Sequence, residues 1–316
     1  MQLTLGEHPP ATRLKRTVPA PRPSSDPVVP DRLLRGTRAL LAVFVVFTLL
    51  AVNQLLVLGA HTDRYFAWTI PSRPNAAFMG AAYGAGFVLS VLALLRSRWS
   101  HVRVTVVTVG VFTVLTLVPT LLHLHRFNLM SPEPVARGAS WVWLAVYLSV
   151  PVACLTVVVR QQRRGRRPAV VRPMPRALAA VLLVQGTAVA AIGGVLYAGG
   201  MSKHLPVDAQ YPGWPWPITP LTSQVVGAWL LSFAAAIVVA VRERDLSRMV
   251  VPAVAYAVFG AAQTLVLLIF RDQAGTVGRW LWLDLALFAS LVPVGVLGAL
   301  AARRADLRTH SPISTP

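Results

Sequence analysis

A single carboxylic acid, Asp284, lies inside a stretch that is otherwise apolar enough to sit within a membrane. A charged side chain at the centre of a membrane helix costs roughly 2.5–3.5 kcal/mol on insertion scales, so residues of this kind usually have a specific role. Arg271 and Arg279 stand nearby in the sequence and could neutralise the carboxylate. Asp284 is therefore either one partner of an ion pair or a site for a proton or a cation.

Histidines and acidic residues gather in segments that we expect to lie on the outer side of the membrane. The histidines are His61, His123, His125 and His204, and the acids are Asp63, Glu133, Asp208 and Asp272. Together they could provide the general acid and general base of an enzyme that acts on a lipid-linked substrate. The sequence contains no H-E-x-x-H, G-x-S-x-G, P-loop or dinucleotide motif that would support this chemistry.

The histidine pair His123 and His125 is a weak candidate for a metal site. Side chains two positions apart on a helix point about 200° away from each other, so the two rings could share an ion only where the helix has ended. We predict no cofactor.

Tryptophans flank the apolar stretches and could form the walls of a ligand site. They occur in two aromatic loops and in two W-x-W elements, as Trp68, Trp214, Trp216, Trp141, Trp143, Trp280 and Trp282. Tryptophan favours the membrane interface, where its ring is buried and its N–H stays hydrated. These residues are therefore either interfacial anchors or the lining of aromatic pockets, in which Asp284, Arg126 and Arg271 would supply charge.

The elements that must position these side chains are long apolar runs. The chain has 316 residues, of which 55% are hydrophobic and 13% are charged, and this composition indicates a multi-pass membrane protein. A helix needs about 20 apolar residues to cross the hydrocarbon core, where it satisfies its own backbone groups. Eight runs qualify: 38–60, 76–95, 104–124, 140–159, 177–198, 223–241, 249–270 and 280–302.

Most of the 30 lysines and arginines stand before the first apolar run and in every second loop thereafter. Cytoplasmic loops hold an excess of basic residues, so this alternation predicts a plasma-membrane protein with both termini in the cytoplasm. The net charge of +19 arises from these clusters, which would contact anionic lipid head groups. We predict membrane lipids as partners and no nucleic acid, because the clusters are short and lack aromatic residues for base stacking.

Sequence landmarks recur in the same order in the two halves of the chain. Arg38 recurs as Arg176, Trp68 as Trp216, Gly80 as Gly227, Arg126 as Arg271, and the element from Trp141 to Leu144 as that from Trp280 to Leu283. This repetition predicts two parallel four-helix repeats related by a pseudo-twofold axis along the membrane normal. The all-α chain then divides into a disordered, basic, proline-rich cytoplasmic tail (1–36), a first repeat (37–160), a basic cytoplasmic linker (161–176), a second repeat (177–303) and a cytoplasmic tail (304–316).

The segment WPWPITPLTSQVVGAW from Trp214 and the FAWTI element from Phe66 resemble outer-loop motifs of a family of duplicated eight-helix membrane proteins from high-GC bacteria. The resemblance covers the eight predicted spans and not the N-terminal tail. It implies the fold and no activity, because no activity is known for the family. The first loop has PSRPN where the second has a Pro-Leu-Thr element, so the resemblance does not extend a role of the second loop to the first.

The aromatic residues and charges converge on the predicted outer face, which favours binding or transport of a small or lipidic molecule between the two repeats. Two alternatives stay open. One is a membrane-embedded enzyme, which requires a hydrogen bond between an outer histidine and an outer acid. The other is a non-catalytic subunit that binds another protein.

Overall fold

The computed structural model describes residues 31–164, 170, 172–201, 212–274 and 278–308, and these residues form helices and turns without a β-sheet. The predicted N-terminal tail up to residue 30, His204, Asp208 and residues 309–316 lie outside them. The α-helices of the described part are α1 (Arg35–Val52), α2 (Thr62–Tyr65), α3 (Arg73–Leu94), α4 (Arg103–Leu122), α5 (Pro134–Arg164), α6 (Arg176–Gly199), α7 (Pro220–Glu243), α8 (Val250–Ile269) and α9 (Gly278–Arg308).

Eight of these helices, all except α2, are long and apolar enough to cross a membrane. The predicted all-α fold class with eight candidate spans is therefore confirmed. Helices α5 and α9 run well beyond the predicted spans, with 31 residues each. A helix can continue into water once its apolar section has left the membrane, and α5 accordingly extends to Arg164, inside the segment predicted as a linker.

The eight long helices pack as two rows. One row has the order α1, α3, α8, α9, and the other has the order α5, α4, α7, α6. The rows also meet at their ends, where α1 faces α5 and α6 faces α9. We call these two contacts the α1–α5 seam and the α6–α9 seam. Helices α3 and α7 bury the largest share of their residues, so they form the centre of the bundle.

Glycines bring neighbouring helices of each row close together. A Cβ atom at Gly80 of α3 would lie 2.7 Å from the Leu56 side chain, and one at Gly227 of α7 would lie 2.7 Å from the carbonyl oxygen of Gly193 in α6. Distances this short leave no room for a side chain, so these backbones can approach only because the residues are glycines. Leu56 belongs to a π-helical turn, Asn53–Val57, that continues α1.

Short turns close the bundle on the side that carries the N-terminus of α1, which we call the basic side. There the backbone N–H of Leu33 donates to the carbonyl oxygen of Ser97 (2.9 Å). The N–H of Met174 donates in the same way to Arg244 (3.0 Å). Each segment that leads into α1 or α6 is thus fastened to the turn that follows α3 or α7. The opposite side, which carries the loops before α3 and α7, is called the tryptophan side.

Buried ion pairs also lie on the basic side. Glu243 pairs with Arg103 and with Arg248 (3.2 Å), and Asp245 pairs with Arg248 (3.2 Å). Removal of one partner from a buried pair leaves an uncompensated charge and typically costs about 3–5 kcal/mol. Some basic residues that the sequence assigns to membrane topology therefore also hold the fold together.

Candidate functional site

Three of the predicted site tryptophans, Trp68, Trp214 and Trp216, fill the junction between the two rows on the tryptophan side. Each is at most 1% exposed. The indole Nε1 of Trp68 donates to Thr222 Oγ1 in the first turn of α7 (3.2 Å). That of Trp214 donates to Asn75 Oδ1 in the first turn of α3 (3.0 Å). The loop before each central helix is thus bonded to the other central helix, and these rings are packed in the protein interior.

The other four predicted tryptophans have different surroundings. Trp143 is buried, and its ring centroid lies 4.8 Å from that of Trp68 and 4.4 Å from that of Tyr147. Trp141 and Trp282 are 54% and 63% exposed, as expected of anchors in a lipid interface, and Trp280 is half-buried. The seven residues therefore do not line one common site.

A cavity of about 260 Å³ lies between α1, α3, α4 and α5, and Trp229 and Phe233 of α7 also line it. Its aromatic walls are formed by Phe44, Phe47, Tyr83, Phe112, Trp143 and Trp229. It reaches the surface at the α1–α5 seam, because its lining includes Leu50 of α1 and Val142 of α5, which are about half exposed. A molecule dissolved in a bilayer could enter it sideways between these two helices.

The polar groups around this cavity are few and mostly occupied. The hydroxyl groups of Tyr83 and Tyr147 share a hydrogen bond (2.7 Å), and those of Ser90 and Thr108 donate to carbonyl groups of their own helices (2.7 Å each). The indole N–H of Trp229 is buried without a hydrogen-bond partner. The half-buried amide of Gln54 also lines the cavity and forms no hydrogen bond within the described residues. The cavity therefore suits a mainly apolar molecule that carries a small polar group.

The predicted charges do not meet in one place. Asp284 is 2% exposed and its Oδ2 atom has no hydrogen-bond partner. Arg271 pairs instead with Asp272 (3.5 Å), where both side chains are largely exposed, and Arg126 is exposed as well. Of the alternatives that the sequence leaves open for Asp284, an ion pair with Arg271 is not formed, because Arg271 lies in an exposed turn after α8 while Asp284 faces the helix bundle. The Arg279 side chain lies outside the described part.

The histidine pair lies where α4 ends, with ring centroids 6.2 Å apart. Gln224 Oε1, at the start of α7, accepts a hydrogen bond from His123 Nε2 (2.8 Å). Burial lowers the pKa of His123 and the bond to Gln224 opposes this shift, while His125 and Arg126 lower the pKa further by charge repulsion. The described residues contain no group of three metal-ligating side chains and no hydrogen bond between an outer histidine and an acid.

Apart from Trp143, which was among the predicted site residues, sequence reasoning missed the residues that build the cavity. Tyr83 and Tyr147 are isolated hydroxyl groups in apolar helices, and a buried tyrosine hydroxyl needs a partner, which is a usable signal. Trp229 lies in the middle of α7, away from the membrane interface that tryptophan prefers. Gly86 gives no signal of its own, yet a Cβ atom there would lie 3.2 Å from the Trp229 ring.

Comparison of the chain with protein-family models, with curated proteins and with solved structures finds no match. The class of protein is therefore defined by the fold and the cavity alone. It is a bundle of apolar helices compatible with a membrane, with an aromatic cavity that opens between α1 and α5.

Proposed function

We propose that this protein is a multi-pass membrane protein that binds an apolar or lipidic molecule in the cavity at the α1–α5 seam. The observation that carries this proposal is an aromatic cavity whose opening lies between two helices with apolar, exposed outer faces. The site differs from the predicted one at the outer face between the halves, where Trp68, Trp214 and Trp216 already fill the junction. Ligand binding by those tryptophans and by Asp284 stays a prediction, as does transport.

The physics of the bilayer limits what such a cavity can recognise. A molecule that moves from lipid into an apolar cavity gains little from the hydrophobic effect, since both surroundings are apolar. Its affinity must come from close packing against the rings and from any polar group that it satisfies. Trp229, with its unpaired N–H, and Gln54, whose half-buried amide also lines the cavity, are the groups that we expect to select a ligand with an oxygen acceptor. A volume of about 260 Å³ fits part of one acyl chain or a comparably small molecule.

We also propose that the bundle consists of two four-helix repeats. The exchange of α1 with α6, α3 with α7, α4 with α8 and α5 with α9 converts each row of helices into the other, and neighbouring helices remain neighbours. The bond from Leu33 to Ser97 then corresponds to that from Met174 to Arg244. Buried positions of α5 correspond one by one to buried positions of α9: Ser140 to Leu281, Trp143 to Asp284, Tyr147 to Phe288, Val150 to Leu291 and Cys154 to Gly295.

This correspondence supports the predicted pairing of Gly80 with Gly227 and shifts the others by a few residues. A Cβ atom at either glycine would meet the same place on the neighbouring helix, Leu56 or Tyr197. The exposed Trp141 corresponds to the exposed Trp282, so the two W-x-W elements are offset by two residues. The basic residues before α1 and in the turns after α3 and α7 would place the basic side in the cytoplasm, together with both termini.

The proposed function is tested with a probe that quenches tryptophan fluorescence from inside the cavity. A bromine-labelled twelve-carbon alcohol is titrated against the full chain in a neutral detergent. Ala139 of α5 lines the cavity, whereas Ala145 of the same helix is exposed and does not. Ala139→Phe fills the cavity, so the affinity for the alcohol should fall at least tenfold, while Ala145→Phe should leave it unchanged. Equal quenching in both variants would mean that the probe acts only from the surrounding detergent.

A second variant tests whether the N–H of Trp229 donates a hydrogen bond to the oxygen atom of the ligand. Trp229→Phe keeps an aromatic ring and removes the N–H, so the alcohol should bind about threefold to tenfold more weakly, as expected for one lost hydrogen bond. The corresponding bromoalkane, which has no oxygen, should bind equally to both proteins. If the two probes respond alike, the N–H of Trp229 does not take part in recognition.

A further inference from the structure

A second opening lies on the same seam, at the basic side. It is a surface recess of about 480 Å³ between the first turn of α1 and the last turns of α5. Three arginines line it, Arg35 from α1 with Arg160 and Arg164 from α5. Just inside the recess, the side chain of Gln161 donates to Thr37 Oγ1 (3.2 Å), and both residues are buried. This bond holds α1 and α5 together and closes the recess toward the interior.

The recess carries positive charge that the described residues do not neutralise. All three arginines are exposed, and none forms an ion pair in the described part of the chain. The described acids of the basic side are engaged elsewhere: Asp31 accepts hydrogen bonds from Ser100, Glu243 pairs with Arg103 and Arg248, and Asp245 pairs with Arg248. A counter-charge for the recess must therefore come from outside these elements.

The described residues of the α6–α9 seam place their arginines differently. Under the proposed correspondence, Arg35 matches Arg176, but Arg160 matches Ala301 and Arg164 matches Ala305. Basic residues are still present nearby on α9, at the exposed Arg303 and Arg304. Among the described residues, the two seams therefore differ in where their arginines stand and not in the presence of positive charge.

We propose that the α1–α5 recess binds a phosphate group, with Arg35, Arg160 and Arg164 as its ligands. A guanidinium group binds phosphate through two parallel hydrogen bonds, and basic recesses between membrane helices suit the head groups of anionic lipids. Each arginine stands at the end of a helix that is apolar enough to cross a membrane, which is the level of lipid phosphates. The recess residues at the start of α1, from Leu34 to Thr37, lie about 10–15 Å along α1 from Phe44, at the bottom of the aromatic cavity, so the two sites are separate.

The chemistry fits two sources, the head group of an anionic phospholipid or a soluble phosphate ester. Dioctanoyl phosphatidylglycerol and glycerol 3-phosphate carry related phosphate chemistry with and without acyl chains, and dioctanoyl phosphatidylcholine is the zwitterionic lipid of the same chain length. Each is titrated against the full chain in neutral detergent and scored by native mass spectrometry. The test variant is Arg35→Gln with Arg160→Gln and Arg164→Gln, and the matched control is Arg176→Gln with Arg303→Gln and Arg304→Gln.

We expect phosphatidylglycerol to bind the wild-type protein and the control triple variant equally. The test variant should bind it about 100-fold more weakly, since each arginine near the membrane surface contributes several-fold to the affinity. Binding of phosphatidylglycerol at least tenfold tighter than glycerol 3-phosphate assigns the site to a lipid, and comparable binding assigns it to a soluble phosphate ester.

Equal losses in the two triple variants, or equal binding of phosphatidylglycerol and phosphatidylcholine to the wild-type protein, would overturn the proposal. The aromatic cavity provides a separate readout. The bromine-labelled alcohol should quench the triple variant as it quenches the wild-type protein, so failure at the recess is distinguishable from failure of the proposed function.

Discussion

The α1–α5 seam and the α6–α9 seam are built from helices that occupy corresponding places in the two rows, yet they are filled differently. The first encloses a cavity of about 260 Å³, and near the second there is one of about 70 Å³. At the second seam, the amide nitrogen of Gln185 donates to Ser290 Oγ (2.9 Å), and its amide oxygen accepts from the hydroxyl of Tyr256 (3.1 Å). These bonds join α6, α9 and α8.

Under the proposed repeat, residues at corresponding positions account for the difference. In the first half, Phe44 stands where the second has Gln185, and Val109 stands where the second has Tyr256. Ser149 corresponds to Ser290 but donates to the carbonyl group of Ala145 in its own helix (2.7 Å). If the two halves are repeats, as proposed, we expect these two positions to decide whether a bridging amide closes the seam or the seam stays open for a ligand.

The largest expected effect concerns α5, beside the aromatic cavity. Trp143→Ala removes a buried ring that packs on Trp68 and whose N–H donates to Thr120 Oγ1 (3.1 Å). We expect a loss of about 3–5 kcal/mol in the free energy of unfolding, measured by denaturant titration in mixed micelles. Trp141→Ala, at the exposed position of the same W-x-W element, should change it by less than about 0.5 kcal/mol. Similar losses in the two variants would contradict the assignment of one ring to the interior and the other to the surface.

The stability of the α6–α9 seam should depend on the bridging amide of Gln185. Gln185→Leu removes both interhelical bonds and leaves the Tyr256 hydroxyl without its partner, so we expect a loss of about 1–3 kcal/mol in the free energy of unfolding. Ser149→Ala provides the matched change at the open seam and should have almost no effect, because that hydroxyl bonds within its own helix. An unchanged stability of Gln185→Leu would show that packing, not the amide, closes the α6–α9 seam.

The groups that bridge the α6–α9 seam can also be introduced at the α1–α5 seam. The double variant Phe44→Gln with Val109→Tyr gives the first seam the same three groups as the second, since Ser149 is already in place. We expect the affinity for the bromine-labelled alcohol to fall at least tenfold, as judged by tryptophan quenching, because the cavity becomes bridged. Phe44→Leu with Val109→Phe is the control without hydrogen-bonding groups, and an equal loss there would attribute closure to volume alone.

The smallest expected effect is a pH dependence on the tryptophan side. Because burial lowers the pKa of His123 below its ordinary value of about 6.5, the unfolded chain binds more protons than the folded one between these two pKa values. Stability should therefore fall as the pH drops through about 6.5 and level off below the folded pKa. His123→Phe, which installs the residue found at the corresponding position 270, should remove this part of the pH profile of the melting temperature.

The eight helices were predictable because run length and hydrophobicity decide which segments can cross a membrane. Burial of individual tryptophans was not predictable in the same way. Trp68 and Trp141 have similar neighbours in sequence, and only tertiary packing determines that the Trp68 ring is buried and the Trp141 ring is exposed. The cavity was still harder to predict, because it is space that the side chains around Phe44 and Val109 leave unfilled. Such space depends on tertiary packing and corresponds to no sequence motif. Asp284 was identified as unusual from its context, but proximity in sequence could not show that Arg271 turns away from it and pairs with Asp272.

The crossed bonds of Trp68 to Thr222 and of Trp214 to Asn75 have a consequence for how the chain is assembled. The indole N–H of each loop donates to a helix that belongs to the other half of the chain. Segments 31–164 and 172–308, produced as separate fragments, would each present an indole N–H with nothing to bind until they met. Each fragment expressed alone should therefore be unstable and be degraded by cellular quality control. Expression of both fragments together should restore a stable complex.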